Sequence, residues 1–126
     1  MTRLIFISIY PSGENLGKMC EEVYTLRSLD VVNILRSGKT IERYKEAGNS
    51  MLPIIRSNQP VTLEPVGERE LKVGDIVFCK VRGSFFTHKI TKIRANQYQI
   101  SNNHRFVNGW VTRNSIYGIV TKIWDN

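Results

Sequence analysis

The sequence has no long apolar run: no stretch approaches the roughly 18 apolar residues that a membrane-spanning helix needs. The longest candidate near the start, Leu4-Ile5-Phe6-Ile7-Ser8-Ile9-Tyr10, is too short for a span. It also lacks the small-x-small exit of a secretory signal, and its β-branched content predicts a strand. Cysteine is scarce. Cys20 and Cys79 have no CxxC spacing and no ligand cluster around them, which argues against zinc and against a disulfide framework. They read as free thiols of a reducing compartment. No internal repeat or low-complexity segment is visible. Acids run out early: no Asp or Glu lies between Asp75 and Asp125, so no histidine there has a carboxylate near it in sequence.

What is present fits one globular domain. The chain has 126 residues, 41% apolar and 23% charged, long enough to bury a core without a metal or disulfide. Eighteen basic against eleven acidic residues give a net charge of +7. A basic surplus suits nucleic acid, acidic partners or an anionic surface. These charges are scattered along the chain without an arm or block, however, which reads more simply as a solvated basic surface.

The pattern predicts a short leader, residues 1–39, packed on a β-rich body, residues 40–126. Pro11, Ser12 and Gly13 signal a turn after the first strand. Met19, Val23, Leu26, Val31, Ile34 and Leu35 recur at partly helical spacing between Lys18 and Ser37, as one helix or as two with the second starting at Asp30. Gly38 stands where a helix-ending glycine would. Beyond it, strands are expected over Thr40–Tyr44, Val61–Glu64, Ile76–Val81, Ser84–Ile93, Gln97–Ser101 and Ser115–Trp124. Turns are expected at Arg82-Gly83 and Ala95-Asn96. The fold class is therefore mainly β, a β-rich α+β body of antiparallel or mixed strands with a short N-terminal helical segment.

Three segments carry chemistry. In Gly48-Asn49-Ser50-Met51-Leu52-Pro53 the glycine permits a tight path before the serine, and Pro53 suits the first turn of a short helix. A serine there can sit beside backbone N–H groups able to hold an oxyanion, with Gly48, Asn49 and Met51 forming the turn. The plain alternative is a helix cap. In Val73-Gly74-Asp75-Ile76-Val77-Phe78, Gly74 and Asp75 read as a structural turn entering a strand. In Phe85-Phe86-Thr87-His88-Lys89-Ile90, period 2 puts His88 on the face of Phe86 and Ile90, with Lys89 opposite. His88 is there either a satisfied core histidine or a working base.

Taken together, in this order and spacing, the segments resemble the clan that unites type I signal peptidases with LexA-like self-cleaving repressors. The resemblance is clear over Thr40 to Ile93 and continues weakly to Ile123. It implies a LexA/signal-peptidase-like compact β body with Ser50 as nucleophile and His88 as general base. Lysine is the base in bacterial signal peptidases and LexA-like proteins; endoplasmic-reticulum-type signal peptidases carry a His-Arg pair, where His88 and Lys89 fall. Their acid lies further on, in a stretch that reads Ile100-Ser101-Asn102-Asn103-His104-Arg105 here. Asn102 takes the acid's place, and Asn102 or Asn103 is expected to orient the imidazole by hydrogen bond without charge. Lys89 is the supporting basic position, and His104 is a weaker base candidate in a polar loop. Serine needs a base to take its proton. Histidine, with an ordinary pKa of about 6.5, does so near neutral pH without deep burial.

The stretch ahead of Gly48 is expected to be too short for a helix-turn-helix domain, and no membrane anchor is expected. The layout is similar to short stand-alone LexA-like peptidases that cut their own N-terminal segment between a small residue and glycine. Leu16-Gly17 is the best-placed such bond. The substrate would be a polypeptide or the chain's own N-terminus, held by β-addition along Thr40–Glu46. The charges of that edge equally suit protection against aggregation. No cofactor and no metal are expected, a homodimer stays open as a partner, and the location is a bacterial or phage-infected cytoplasm. Two rival readings remain open. One is a catalytically silent relative serving as a binding or regulatory module of a phage or mobile element. The other is a nucleic-acid-binding β protein using Phe85, Phe86, Tyr98 and Trp110 for stacking.

Overall fold

In the computed structural model the described residues are 5–9 and 22–125. The Pro11–Gly13 turn, Cys20 and the Leu16-Gly17 bond lie outside them. Strands β1 (Ile5–Ile9) and β2 (Glu22–Leu26) pair antiparallel, Ile5 opposite Leu26 and Ile9 opposite Glu22. Helix α1 (Ser28–Arg36) follows. The Lys18–Ser37 segment is thus not helical throughout. The apolar recurrence over 19–26 belongs partly to a strand, and Val23-Tyr24-Thr25 is a β-favouring run that finds a partner in β1. The helix is a single one, starting two residues before Asp30. The Asp30 carboxylate accepts from the Arg27 N–H and satisfies one of the open donors at the start. The helix ends at Arg36, and Gly38, just past the cap, has a φ of +89° that lets the chain turn away after the last helical carbonyls are bonded.

The body is one seven-stranded antiparallel sheet, so the protein is mainly β with one short helix. Its strands are β3 (Ile41–Tyr44), β4 (Val61–Pro65), β5 (Ile76–Val81), β6 (Ser84–Arg94), β7 (Gln97–Ser101), β8 (Val107–Thr112) and β9 (Ile116–Ile123). They lie in the order β3-β4-β9-β5-β6-β7-β8, and β1 runs beside β3. Arg82-Gly83, both at positive φ, close the β5–β6 hairpin. Strand β8 was not signalled, because Asn108-Gly109 reads as a turn in sequence. It serves instead as strand interior. Gly109 allows β8 to approach β5 as the sheet curls: a Cβ there would stand 3.0 Å from Val81 Cγ1.

Two cores occupy the two faces of the sheet. On one, Val31, Val32 and Leu35 of α1 pack on Ile41, Tyr44, Val61, Leu63 and Phe78. On the other, Val77, Cys79 and Val81 pack with Ile90, Ile100, Val111, Ile116 and Ile119. Strand β5 is apolar without alternation because it is buried on both sides: Phe78 faces the helix and its neighbours face the second core. Among the described residues no helix is long and apolar enough to cross a membrane.

Candidate active site

Strand β6 is the platform of the site. Its register against β5 puts His88 opposite Val77, with the imidazole only 6% exposed. Phe86, two residues earlier on the same face, stacks on the ring with centroids 4.9 Å apart. The turn at Gly74-Asp75 sets where this part of β6 lies. The Gly74 N–H donates to the Ile90 carbonyl and the Ile90 N–H to the Asp75 carbonyl, each at 2.8 Å. The Asp75 carboxylate holds the turn by accepting the Lys72 N–H.

Ser50 stands on the segment that returns from β3. Gly48 has a φ of +133° there, and its N–H donates to Ser57 Oγ. No helix follows. Residues 50–55 form successive turns, Ile54 and Ile55 N–H both donating to the Met51 carbonyl, and the Leu52–Pro53 peptide is cis rather than the start of a helix. A helix cap therefore does not account for Ser50. Its Oγ lies 3.0 Å from His88 Nε2. On the far side of the ring, His88 Nδ1 lies 2.7 Å from Asn108 Oδ1. An amide oxygen only accepts, so Nδ1 carries the proton and Nε2 of the neutral ring is the nitrogen that accepts from the serine hydroxyl.

The residue orienting the ring is thus Asn108 of β8, and neither Asn102 nor Asn103. Asn102 Oδ1 accepts from the N–H groups of His104 and Phe106 and shapes its own loop. Asn103 faces the serine turn, and Lys89 Nζ donates to its Oδ1. His104 donates from Nε2 to the Asn49 carbonyl at 3.0 Å, a structural contact and not that of a base. Asn108 escaped the sequence because an Asn-Gly pair speaks for a turn. Its signal would have been a lone polar residue in the apolar stretch Val107–Val111, following a histidine strand that lacks any acid.

These groups open into a cleft of about 390 Å³. Tyr44, Met51, Ile55, Val61 and Phe86 give it apolar walls, while Ser50, His88 and Asn108 meet at its side. Among the described residues the N–H groups of Asn49, Ser50 and Met51 have no protein acceptor, whereas that of Gly48 is engaged. A hydroxyl donating to a ring so fixed can pass its proton as its oxygen attacks an electrophile. Among the described residues, no three His, Cys, Asp or Glu side chains gather to hold a metal ion. Cys79 is fully buried in the second core, where burial pushes its thiol pKa up to about 12, so it is no nucleophile.

The aromatics of the nucleic-acid reading are mostly packing. Phe85 lies against the helix-side core, and Phe86 and Tyr98 against the other. Trp110 is covered by the Arg94 guanidinium, 5.1 Å from the ring centroid. Other cations lie over rings elsewhere, Arg36 over Tyr117, Lys80 over Phe85, and both Arg43 and Lys122 over Trp124; of these three rings only Phe85 is a stacking candidate. Comparison with protein-family models, curated proteins and solved structures finds no match to this chain.

Proposed function

We propose that this chain is a serine endopeptidase in which Ser50 attacks and His88 is the general base, with the build of the LexA-like and signal-peptidase clan. The observation that carries the reading is the continuous line Ser50 Oγ–His88–Asn108, at 3.0 and 2.7 Å, beside an apolar-walled cleft. The substrate is an extended polypeptide laid along the non-strand stretch that leads from the end of β3 to Gly48. Ser50 Oγ bonds to the peptide carbonyl carbon while His88 Nε2 takes its proton. The oxyanion is met by N–H groups of the serine turn, those of Ser50 and Met51 having no acceptor among the described residues. His88 then gives the proton to the leaving amine, and the acyl-serine is hydrolysed by water activated in the same way. The chain's own Leu16-Gly17 bond is the cut proposed for self-processing, and a bacterial or phage-infected cytoplasm the proposed setting.

The amide in place of a carboxylate favours a second reading, a silent peptidase-fold module, because Asn108 gives the imidazolium no opposing charge. One experiment separates the two. Purified protein at pH 7 to 9 is followed by intact mass for days beside Ser50→Ala and His88→Ala, then treated with a fluorophosphonate. A Ser50-dependent cut, or a phosphonyl adduct on Ser50 lost in His88→Ala, is expected. An unchanged mass with no adduct would leave the silent module as the reading.

A further inference from the structure

The serine turn contains no helix or strand, so something must fix it against β6 if Oγ is to stay within hydrogen-bond reach of Nε2. The loop between β7 and β8 does so at three carbonyls of the turn. The Asn103 N–H donates to the Ser50 carbonyl at 2.8 Å, and Asn103 Nδ2 donates to the Leu52 carbonyl at 2.8 Å. His104 Nε2 donates to the Asn49 carbonyl at 3.0 Å. The amide orientation of Asn103 is dictated by its neighbours, since Nδ2 meets a carbonyl while Oδ1 accepts from the Lys89 ammonium at 2.8 Å. Lys89 directly follows His88 on β6. The strand that carries the base therefore also carries the cation that holds the amide that holds the nucleophile's turn.

We propose that Asn103, fixed by Lys89, is a positioning residue for Ser50: the pair sets where the serine hydroxyl lies relative to His88 without touching a reacting atom. The inference rests on the reading of Ser50 and His88 as nucleophile and base. Its physical force comes from how sharply reaction depends on placement, a misplacement of about 1 Å costing on the order of a hundredfold in rate. The charge on Lys89 strengthens its bond to Oδ1, and a charge-assisted hydrogen bond is roughly twice as strong as a neutral one.

The test uses the whole chain and a small fluorophosphonate, with maximal inactivation rate and half-saturating concentration resolved separately. Asn103→Ala and Lys89→Met should each lower the maximal rate by about ten- to a hundredfold, with the half-saturating concentration within about twofold. The double variant should be no slower than the worse single one, because both changes cut the same chain of contacts. Lys89→Arg, which keeps a cationic donor, should recover most of the rate. The pH dependence of labelling should stay in place in Asn103→Ala and Lys89→Arg, which leave His88, Asn108 and the charge at position 89 as they are. A second readout needs no reaction: amide hydrogen exchange at Leu52, Ile54 and Ile55 should speed up by about tenfold in Asn103→Ala and Lys89→Met, but not in Lys89→Arg. Unchanged exchange, or wild-type labelling by Asn103→Ala, overturns the positioning role. Absence of any adduct in the wild type with faster exchange in the variants would instead overturn the nucleophile reading and keep the loop as the holder of the turn.

Discussion

At the scale of single residues, the chemistry turns on what faces His88 Nδ1. Asn108 offers an oxygen at 2.7 Å, which selects the tautomer that frees Nε2 for Ser50. It offers no charge, so what Asn108 presents to Nδ1 of the imidazolium formed during attack is a neutral hydrogen bond. Bonds to charged groups contribute about 1.5–3 kcal/mol against about 1 for neutral ones, a difference worth about tenfold in rate. Asn108→Asp should therefore raise the rate of Ser50 labelling about tenfold at alkaline pH. It should also move the acid limb of the pH–rate profile to higher pH: a carboxylate favours the protonated ring, and only the neutral ring acts as base. Asn108→Ala should slow labelling about ten- to a hundredfold, by freeing the tautomer and ring orientation. Equal rates for the three proteins across pH 6 to 10 would show that Asn108 does not orient the base. Ser50 and His88 were legible in sequence because each stands in a local motif. Asn108 was not, because its role depends on a strand pairing far from it in sequence, and Asn-Gly spoke locally for a turn.

At the scale of elements, a pattern was readable where a strand's environment repeats along it. Strand β5 announced itself as an unbroken apolar run buried on both faces, and β7 as a short segment bounded by turns. The boundary between β2 and α1 was not readable, because apolar residues at helical spacing continue across it. The seat of the helix was equally hidden. Gly118 of β9 has Leu35 of α1 so close that a Cβ there would lie 2.8 Å from Leu35 Cδ1 and 3.2 Å from the Glu64 carbonyl oxygen. The glycine is thus a socket for the helix, a property no local pattern encodes. Gly118→Val should cost about 1–3 kcal/mol by overpacking, read as a lower urea midpoint at unchanged slope. Gly118 is not among the residues lining the cleft, so Ser50 labelling well below the unfolding transition should keep its wild-type rate. A midpoint equal to wild type would mean that the helix does not depend on this socket.

At the scale of the whole molecule, the two cores share one sheet, and β5 lies between them. Cys79 is on that strand, fully buried, with its thiol pushed up to about 12 by burial alone. A thiol-alkylating reagent needs both access and the thiolate. Opening either face alone still leaves β5 paired with β6 and β9. Alkylation of Cys79 should then require unfolding of the entire body, and its rate should report global stability. The pH sign follows from the same burial. The unfolded thiol ionises with a pKa of about 8.5, while the native one stays protonated up to about 12. This thiol's contribution to stability is therefore complete below about 8.5 and is lost progressively as pH rises towards 12. In a Cys20→Ser background, iodoacetamide at pH 8 should label native Cys79 at least about a thousandfold more slowly than the denatured chain, as a stability of several kcal/mol requires. Adding Gly118→Val should speed that labelling by about five- to a hundredfold, matching its loss in the urea midpoint, because both measurements count the same unfolded population. Fast labelling of the native protein, or labelling indifferent to Gly118→Val, would show instead that β5 opens locally and that the two cores unfold as separate units.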